Sequence, residues 1–174
     1  MKSTGITRRI DDLGRIVIPK EIRKNLKIKE NEVLEIFIDN DNIILKKFSS
    51  FDDMDKILES YIDVLSDISL KNVLITNRDK VIMCSENKKY DYLNKEISDD
   101  ISYFMNNRKT ISTKQEQSLE IIKNISITTN YLVNPIINNG DILGSIILFG
   151  NGKIVEKDII STSIISKLIV NYID

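Results

Sequence analysis

The chain has 174 residues, of which 41% are hydrophobic and 29% charged, and this composition is typical of a globular protein with one ordinary domain or two small ones. It contains no histidine and a single cysteine, Cys84, which excludes histidine-containing zinc sites, Cys-His pairs, Ser-His triads and internal disulfides. The net charge is −1, and no apolar run approaches the roughly 20 residues that a membrane-spanning helix requires.

Positive charge is concentrated at the start of the chain. Residues 1–29 contain nine Lys or Arg side chains and three acidic ones, a net charge of +6, so the remaining residues carry −7. The N-terminus becomes polar before the apolar core of a signal peptide could form, which predicts a cytoplasmic protein. A basic segment on an acidic body predicts that the segment faces a polyanion.

Residues 4–48 are predicted to form four short strands around one short helix. The predicted strands are Thr4–Ile10, Arg15–Ile18, Val33–Ile38 and Ile43–Lys47. Pro19 fixes the φ angle favoured at the start of a helix, which is predicted over Lys20–Leu26. The last two strands carry apolar residues on both faces. A unit this small cannot bury them alone without a metal or disulfide, so we expect two chains to interleave their hairpins.

A second helix is predicted directly after this unit. Between Phe51 and Ile68 the apolar residues are spaced alternately by three and four positions, the pattern of a helix that pairs with another helix. Asp52 and Asp53 near its start complement the helix dipole. The pattern covers only about two and a half heptads, so a coiled coil and an amphipathic helix lying on its own domain are both consistent with it.

The remaining residues predict an α+β domain with an antiparallel sheet and helices packed on one side of it. Predicted strands are Val73–Thr76, Val81–Ser85, Glu120–Thr128, Tyr131–Asn138 and Ile142–Gly150. Turns are predicted at Asn77–Lys80 and Asn138–Asp141. Helices are predicted over Ile97–Asn107 and Val155–Tyr172.

The first 48 residues also carry a specific motif. The run TGITRRIDDLGRIVIPKEIRKNLKI contains the core Arg-x2-Asp-x-x-Gly-Arg-x-x-Ile-Pro with Glu-x-Arg beyond it, and EVLEIFID and IILKKF follow. This segment resembles the AbrB-like swapped-hairpin DNA-binding domain, in which two chains exchange hairpins to form one β-barrel. With its helical linker and α+β half, the whole chain resembles AbrB-type regulators of late spore development that carry a GAF-like domain.

The resemblance implies a DNA-binding surface built from five side chains. The family's DNA-contacting positions fall on Arg8, Arg15 and Arg23, with Lys24 where many members have arginine and Arg9 as a further candidate. Lysine at position 24 keeps the charge but lacks the planar fork that makes two-point contacts. The resemblance also implies a nucleoid-associated protein that reads the shape and flexibility of A+T-rich double-stranded DNA more than a strict consensus.

Several neighbouring residues have structural interpretations instead. Gly14 is expected to give the backbone freedom in the loop between the first two strands. Asp11 and Asp12 could be paired catalytic carboxylates, but turn formation and ion pairing that hold nearby arginines in place is the favoured interpretation. The family often has Gly where Lys27 stands and Gly-Asp where this chain has Asn31-Glu32; Asn31 can adopt the left-handed conformation, which preserves the turn.

The resemblance leaves the role of the C-terminal half open. GAF-like domains bind a small molecule or serve as dimerisation modules, and no ligand, cofactor or metal residue is assigned here. For Cys84 a buried structural thiol is favoured over a redox or attachment role.

The leading hypothesis is a homodimeric or homotetrameric transcription regulator. Its predicted domains are residues 1–50 for DNA binding, 51–70 for the linker helix and 71–174 for a GAF-like regulatory or dimerisation domain. An antitoxin is the alternative, although antitoxins of this type typically continue into a disordered tail. An enzyme would have to rely on side chains such as Asp79 or Glu86, whose spacing does not indicate a catalytic site.

Overall fold

The computed structural model describes residues 4–28, 30, 32–48, 51 and 54–173. The chain divides after Phe48 into two units. Asp52, Asp53 and Asn31, which the sequence analysis singled out, lie outside the described residues. None of the helices in the described part of the chain combines the length and the apolar character needed to cross a membrane.

The first unit contains one short helix and one β-hairpin. Helix α1 spans Lys20–Asn25, strand β1 spans Leu34–Asp39 and strand β2 spans Asn42–Lys47. The two strands pair antiparallel, with Ile36 opposite Leu45. This confirms the predicted helix after Pro19 and the last two predicted strands.

The first two predicted strands are wrong for a single chain. Residues 4–10 and 15–18 have no strand structure, because within the described part of one chain β1 and β2 pair only with each other and leave these segments without a neighbouring strand. The two segments are instead joined by a tight turn, in which Asp11 N–H donates to Arg15 O at 3.0 Å and Gly14 N–H to Asp11 O at 2.9 Å. A strand requires a partner for its backbone groups, and the swapped-hairpin prediction assigns that partner to a second chain.

The described residues of the first unit form no hydrophobic core of their own. Among its described residues only Pro19 is buried. Ile38 is 81% exposed, Leu13 75% and Ile43 72%, so apolar side chains on the loop and on both strands face outward. Such a surface cannot supply the hydrophobic stabilisation that a folded unit needs, and this supports the expected exchange of hairpins between two chains.

The second unit is built on an antiparallel sheet. Its strands are β3 Asn72–Asn77, β4 Val81–Cys84, β5 Ile111–Ser112, β6 Gln117–Ile122, β7 Ile125–Asn138 and β8 Asp141–Gly150. Its α-helices are α2 Asp55–Ser69, α3 Lys89–Tyr92, α4 Asp99–Asn106 and α5 Glu156–Ile173. The strand order is β4-β3-β8-β7-β5, and β6 pairs with the first half of β7.

Helices cover both faces of this sheet, which corrects the prediction of helices on one side. Helices α2 and α5 pack on the face that carries Val73 and Ile75. Helices α3 and α4 pack on the opposite face, where Leu74 and Ile147 point. The central strands are apolar on both faces because each face has its own helical layer.

The remaining strand predictions are mostly confirmed, with one correction. The β3–β4 hairpin, the β7–β8 hairpin and helices α4 and α5 lie where they were predicted. Asn139 and Gly140 both have positive φ, as a tight two-residue hairpin turn requires. The predicted strand Glu120–Thr128 is instead two strands, because Lys123 and Asn124 form a turn in which Asn124 takes the left-handed conformation with φ 65°. Strand β5 and the short helix α3 were not predicted.

The second predicted helix lies on its own unit. Leu58, Ile62 and Leu65 of α2 are buried against the sheet and α5, and Phe51 before the helix is buried with them. The apolar spacing that suggested a coiled coil is thus largely accounted for by packing within one chain.

Strands β3 and β8 approach each other closely at Gly144. A Cβ at this position would lie 1.8 Å from the backbone oxygen of Thr76 on the paired strand β3. We expect Gly144→Ala to lower the free energy of unfolding by roughly 3 kcal/mol or more, because backbone atoms have to move apart. Chemical denaturation followed by circular dichroism measures this change.

Gly140→Ala is the matched control, since its Cβ would meet nothing within 4 Å and only its φ of +87° opposes it. A loss of about 1 kcal/mol is expected there. Equal losses in both variants would contradict the steric explanation.

Candidate nucleic-acid interface

A turn stabilised by Asp11 fixes the position of Arg15. Asp11 Oδ2 accepts a hydrogen bond from Arg15 Nε at 2.8 Å, and Asp11 Oδ1 accepts from the backbone N–H groups of Arg15 at 2.7 Å and Leu13 at 3.0 Å. These bonds from Arg15 hold the pKa of the Asp11 carboxyl below its ordinary value. Gly14 completes the turn with φ +74°, which agrees with the role expected for it. Asp11 therefore acts as a turn former and ion-pair partner of an arginine.

The other predicted contact residues lie on two further parts of the first unit. Arg8 and Arg9 lie in the exposed segment before the turn, where Arg8 Nη1 donates to the neighbouring Thr7 O at 2.9 Å. Arg23 and Lys24 occupy the last turn of α1. Within the described residues, Arg15 is the member of this set that has a carboxylate partner. No carboxylate of the described residues pairs with the other four cations.

Lys47 joins the end of α1 to the hairpin. Its ammonium donates to the backbone oxygen of Lys27 at 2.9 Å and lies 3.2 Å from the Glu32 carboxylate. The loop after α1, which follows Arg23 and Lys24, is thereby held against β2. The sequence analysis did not identify Lys47, and no local pattern could have done so because the bond spans 20 positions.

The chemistry of these five side chains suits the binding of anions better than catalysis. Guanidinium and ammonium groups stay protonated near neutral pH, so they make poor general acids or bases but strong partners for phosphate. The Asp11–Asp12 pair does not form a catalytic dyad, because Asp11 is committed to the turn and to Arg15.

The second unit contains a buried thiol. Cys84 is 3% exposed, and burial raises its pKa although Lys89 acts in the opposite direction. A raised pKa keeps the thiol protonated and unreactive, which supports the structural interpretation. Glu86, one of the two residues considered for an enzyme, pairs with Lys89 at 2.5 Å. The described residues contain no group of three or more Cys, Asp or Glu side chains that could hold a metal ion.

Two known families match the chain, one over each unit. Residues 7–51 match the family described as antidote-toxin recognition MazE, bacterial antitoxin. Residues 53–167 match the family described as stage V sporulation protein T C-terminal, transcription factor.

Individual relatives agree with this division. The chain is 44% identical over 155 residues to stage V sporulation protein T of Bacillus subtilis (strain 168), which covers 88% of this chain and 87% of that protein. Its first unit is similar to the transition state regulatory protein AbrB of the same organism, at 58% identity over 48 residues that cover 28% of this chain and 50% of that protein.

Among solved structures, the cofactor-binding GAF domain of the nutrient sensor CodY from Clostridium difficile is similar to the second unit. The TM-score is 0.51 with 18% identity, covering 67% of this chain and 83% of that chain, and this likeness shows a GAF-like fold alone. The resemblance of the first 48 residues to AbrB-like domains is also confirmed. Because similarity to one regulator extends over most of both sequences, the chain belongs to the stage V sporulation protein T family of transcription factors.

Proposed function

We propose that the protein is a homo-oligomeric regulator that binds double-stranded DNA through the basic surface of its first unit and controls spore-development genes. One observation carries the proposal: a single chain leaves this unit without a core while presenting Arg8, Arg9, Arg23 and Lys24 without carboxylate partners among the described residues. A second chain would bury the apolar surface and double the number of cations. Like charges brought together in this way repel one another unless a polyanion meets them.

The proposed mode of recognition depends on phosphate contacts and DNA shape. Five cations per chain are proposed to contact DNA: Arg8, Arg9, Arg15, Arg23 and Lys24. Phosphate contacts set orientation and affinity, whereas sequence preference would come from the deformability of A+T-rich DNA. Such a protein acts at the nucleoid in the cytoplasm.

The second unit supplies another surface for self-association. The side of α5 that faces the sheet is partly polar, with Asp158, Thr162 and Ser166 buried. Its outer side carries Ile160 and Ile164, each 52% exposed. Contact with another chain best explains why the exposed side of α5 is apolar. We therefore infer that α5 contributes to the homodimer or homotetramer.

Regulation is favoured over the two other functions considered. The match of residues 7–51 to an antitoxin family is the observation that favours an antitoxin. The folded second unit, which matches a transcription factor family, favours a regulator. We assign no catalytic residue, and a small molecule bound to the GAF-like unit remains part of the proposal without assigned contacts.

Arg15→Ala or Arg23→Ala should abolish DNA binding at moderate salt while leaving the oligomer intact. Each change removes one cation from every subunit of the proposed surface, and neither side chain belongs to a core. Gel shift measures DNA binding, and sedimentation measures the oligomer. Arg108→Ala is the control because it removes the same charge from the second unit. Wild-type affinity in both test variants would refute the site assignment.

Asp11→Ala should release Arg15 and loosen the turn, because three hydrogen bonds to this carboxylate are lost. Amide hydrogen exchange at Leu13 and Arg15, followed by NMR, is expected to become faster, and DNA affinity to fall. Asp12→Ala is the control, and identical exchange in the two variants would contradict the assigned role.

The same bonds predict a pH dependence in the wild-type protein. The pKa of Asp11 is lowered in the folded state. The stability that its carboxylate gives the turn is therefore complete above the ordinary Asp pKa and is lost as the pH falls through the lowered value. Protection of the two amides should therefore be constant near neutrality and decrease only in acid. Loss of protection between pH 6 and 8 would rule out this origin.

Ile164→Lys should weaken self-association, because it places a charge in the centre of the apolar side of α5. Analytical ultracentrifugation at several concentrations should show smaller species than for the wild type. Ile125→Lys makes the same change at a site of similar exposure, 44%, elsewhere in the unit and should have no such effect. An Ile164→Lys protein that associates like the wild type would exclude this surface.

A further inference from the structure

Lys27 adopts a backbone conformation that suits glycine. Its φ is +53°, in the left-handed region where a Cβ crowds the backbone. The residue follows the end of α1, where Lys27 N–H donates to Lys24 O at 3.1 Å and Ile28 N–H donates to Arg23 O at 2.7 Å. This pair of bonds is a Schellman motif, in which glycine is the usual left-handed residue. A lysine at this position therefore needs an explanation beyond helix termination.

The backbone of Lys27 is held in place from two sides. The motif attaches it to α1, and the ammonium of Lys47 attaches its carbonyl oxygen to the end of β2. Its side chain therefore extends from a fixed point, which lowers the entropic cost of directing the ammonium toward a ligand.

Lys27 adds a third cation to the end of α1. Arg23 and Lys24 precede it in the last turn of α1, and Lys27 is exposed beside them. Cations three and four positions apart at a helix end repel one another in the absence of an anion. Attraction to the helix C-terminus offsets part of this repulsion and gives a purely structural alternative.

We propose that Lys27 is a further DNA-contacting residue whose ammonium binds a backbone phosphate beside those bound by Arg23 and Lys24. This inference rests on the proposed function, because it places Lys27 on the same basic surface. An ammonium is a compact point charge without a planar fork, so it contacts phosphate and does not read a base edge. Residues in strained backbone conformations are common at binding sites, where the contact between the side chain and the ligand offsets the strain.

Three variants of the full chain test the proposal. Lys27→Gly should slow amide exchange in β1 and β2, because strain is removed, and should also weaken DNA binding. Lys27→Gln keeps the strain and loses the charge, so it should weaken DNA binding without this gain in protection. Asn40→Gly is the control for a glycine introduced elsewhere in the unit: Asn40 has φ +51° in the β1–β2 turn, a conformation that asparagine tolerates, so this variant should gain no protection and should bind DNA like the wild type.

The expected loss of affinity is roughly 5- to 10-fold for each subunit on the DNA at 0.1 M salt, and log K should depend on log salt less steeply by about 0.9 per subunit. Wild-type affinity and salt slope in both Lys27 variants would overturn the proposal. A loss of DNA affinity in Lys27→Gly but not in Lys27→Gln would also overturn it. If Lys27→Gln lowers the protection of the amides but leaves DNA binding normal, the lysine acts on the helix dipole and the proposal is wrong. Arg23→Ala distinguishes failure of the proposed function from failure of this inference. If Arg23→Ala and the Lys27 variants all bind DNA normally, the whole basic surface is misassigned. If only Arg23→Ala weakens binding, the surface stands and Lys27 is not part of it.

Discussion

The burial of apolar side chains that one chain cannot bury alone governs the first unit. Ile38, Ile43 and Leu13 face outward from a single copy, and a second copy would have to cover them. The same requirement bears on the arginines, because within the described part of one chain the segments that carry Arg8, Arg9 and Arg15 have no strand partner. Under the proposed function, dimer formation and assembly of the basic surface are one event. Among the described residues, the helix and the hairpin of one chain share no hydrophobic core that would stabilise them without a partner.

The two units differ in the source of their hydrophobic stabilisation and in their net charge. The second unit has a hydrophobic layer on each face of its sheet and does not depend on a partner for its core. The second unit contains 18 acidic and 14 basic side chains, a net charge of −4, whereas the first unit contains 8 acidic and 11 basic side chains, a net charge of +3. The outer side of α5 shows that even a self-sufficient unit can have a surface suited to a second copy.

Sequence patterns identified most elements of the second unit, because alternation, helical spacing and the Asn139-Gly140 turn are local signals. They missed the turn at Lys123-Asn124, since a run of isoleucines surrounds it and a left-handed asparagine leaves little trace in a pattern. They also placed all helices on one face, although apolar residues on both faces of β3 indicated two layers. In the candidate site, the motif predicted Arg15 and Arg23 as contact residues, whereas the Lys47 bond and the φ angle of Lys27 depend on tertiary geometry.

The pairing of β3 with β8 has a consequence for synthesis on the ribosome. These neighbours in the centre of the sheet come from opposite ends of the second unit, with Thr76 bonded to Ser145 across 69 positions. The β3–β4 hairpin leaves the exit tunnel long before its partner strand β8 is translated, so the edge of β3 that pairs with β8 stays without a partner during elongation. The β7–β8 hairpin, by contrast, closes over a two-residue loop as soon as it emerges. Vectorial synthesis therefore makes the β3–β8 pairing, in the middle of the sheet, one of the last strand pairings to form.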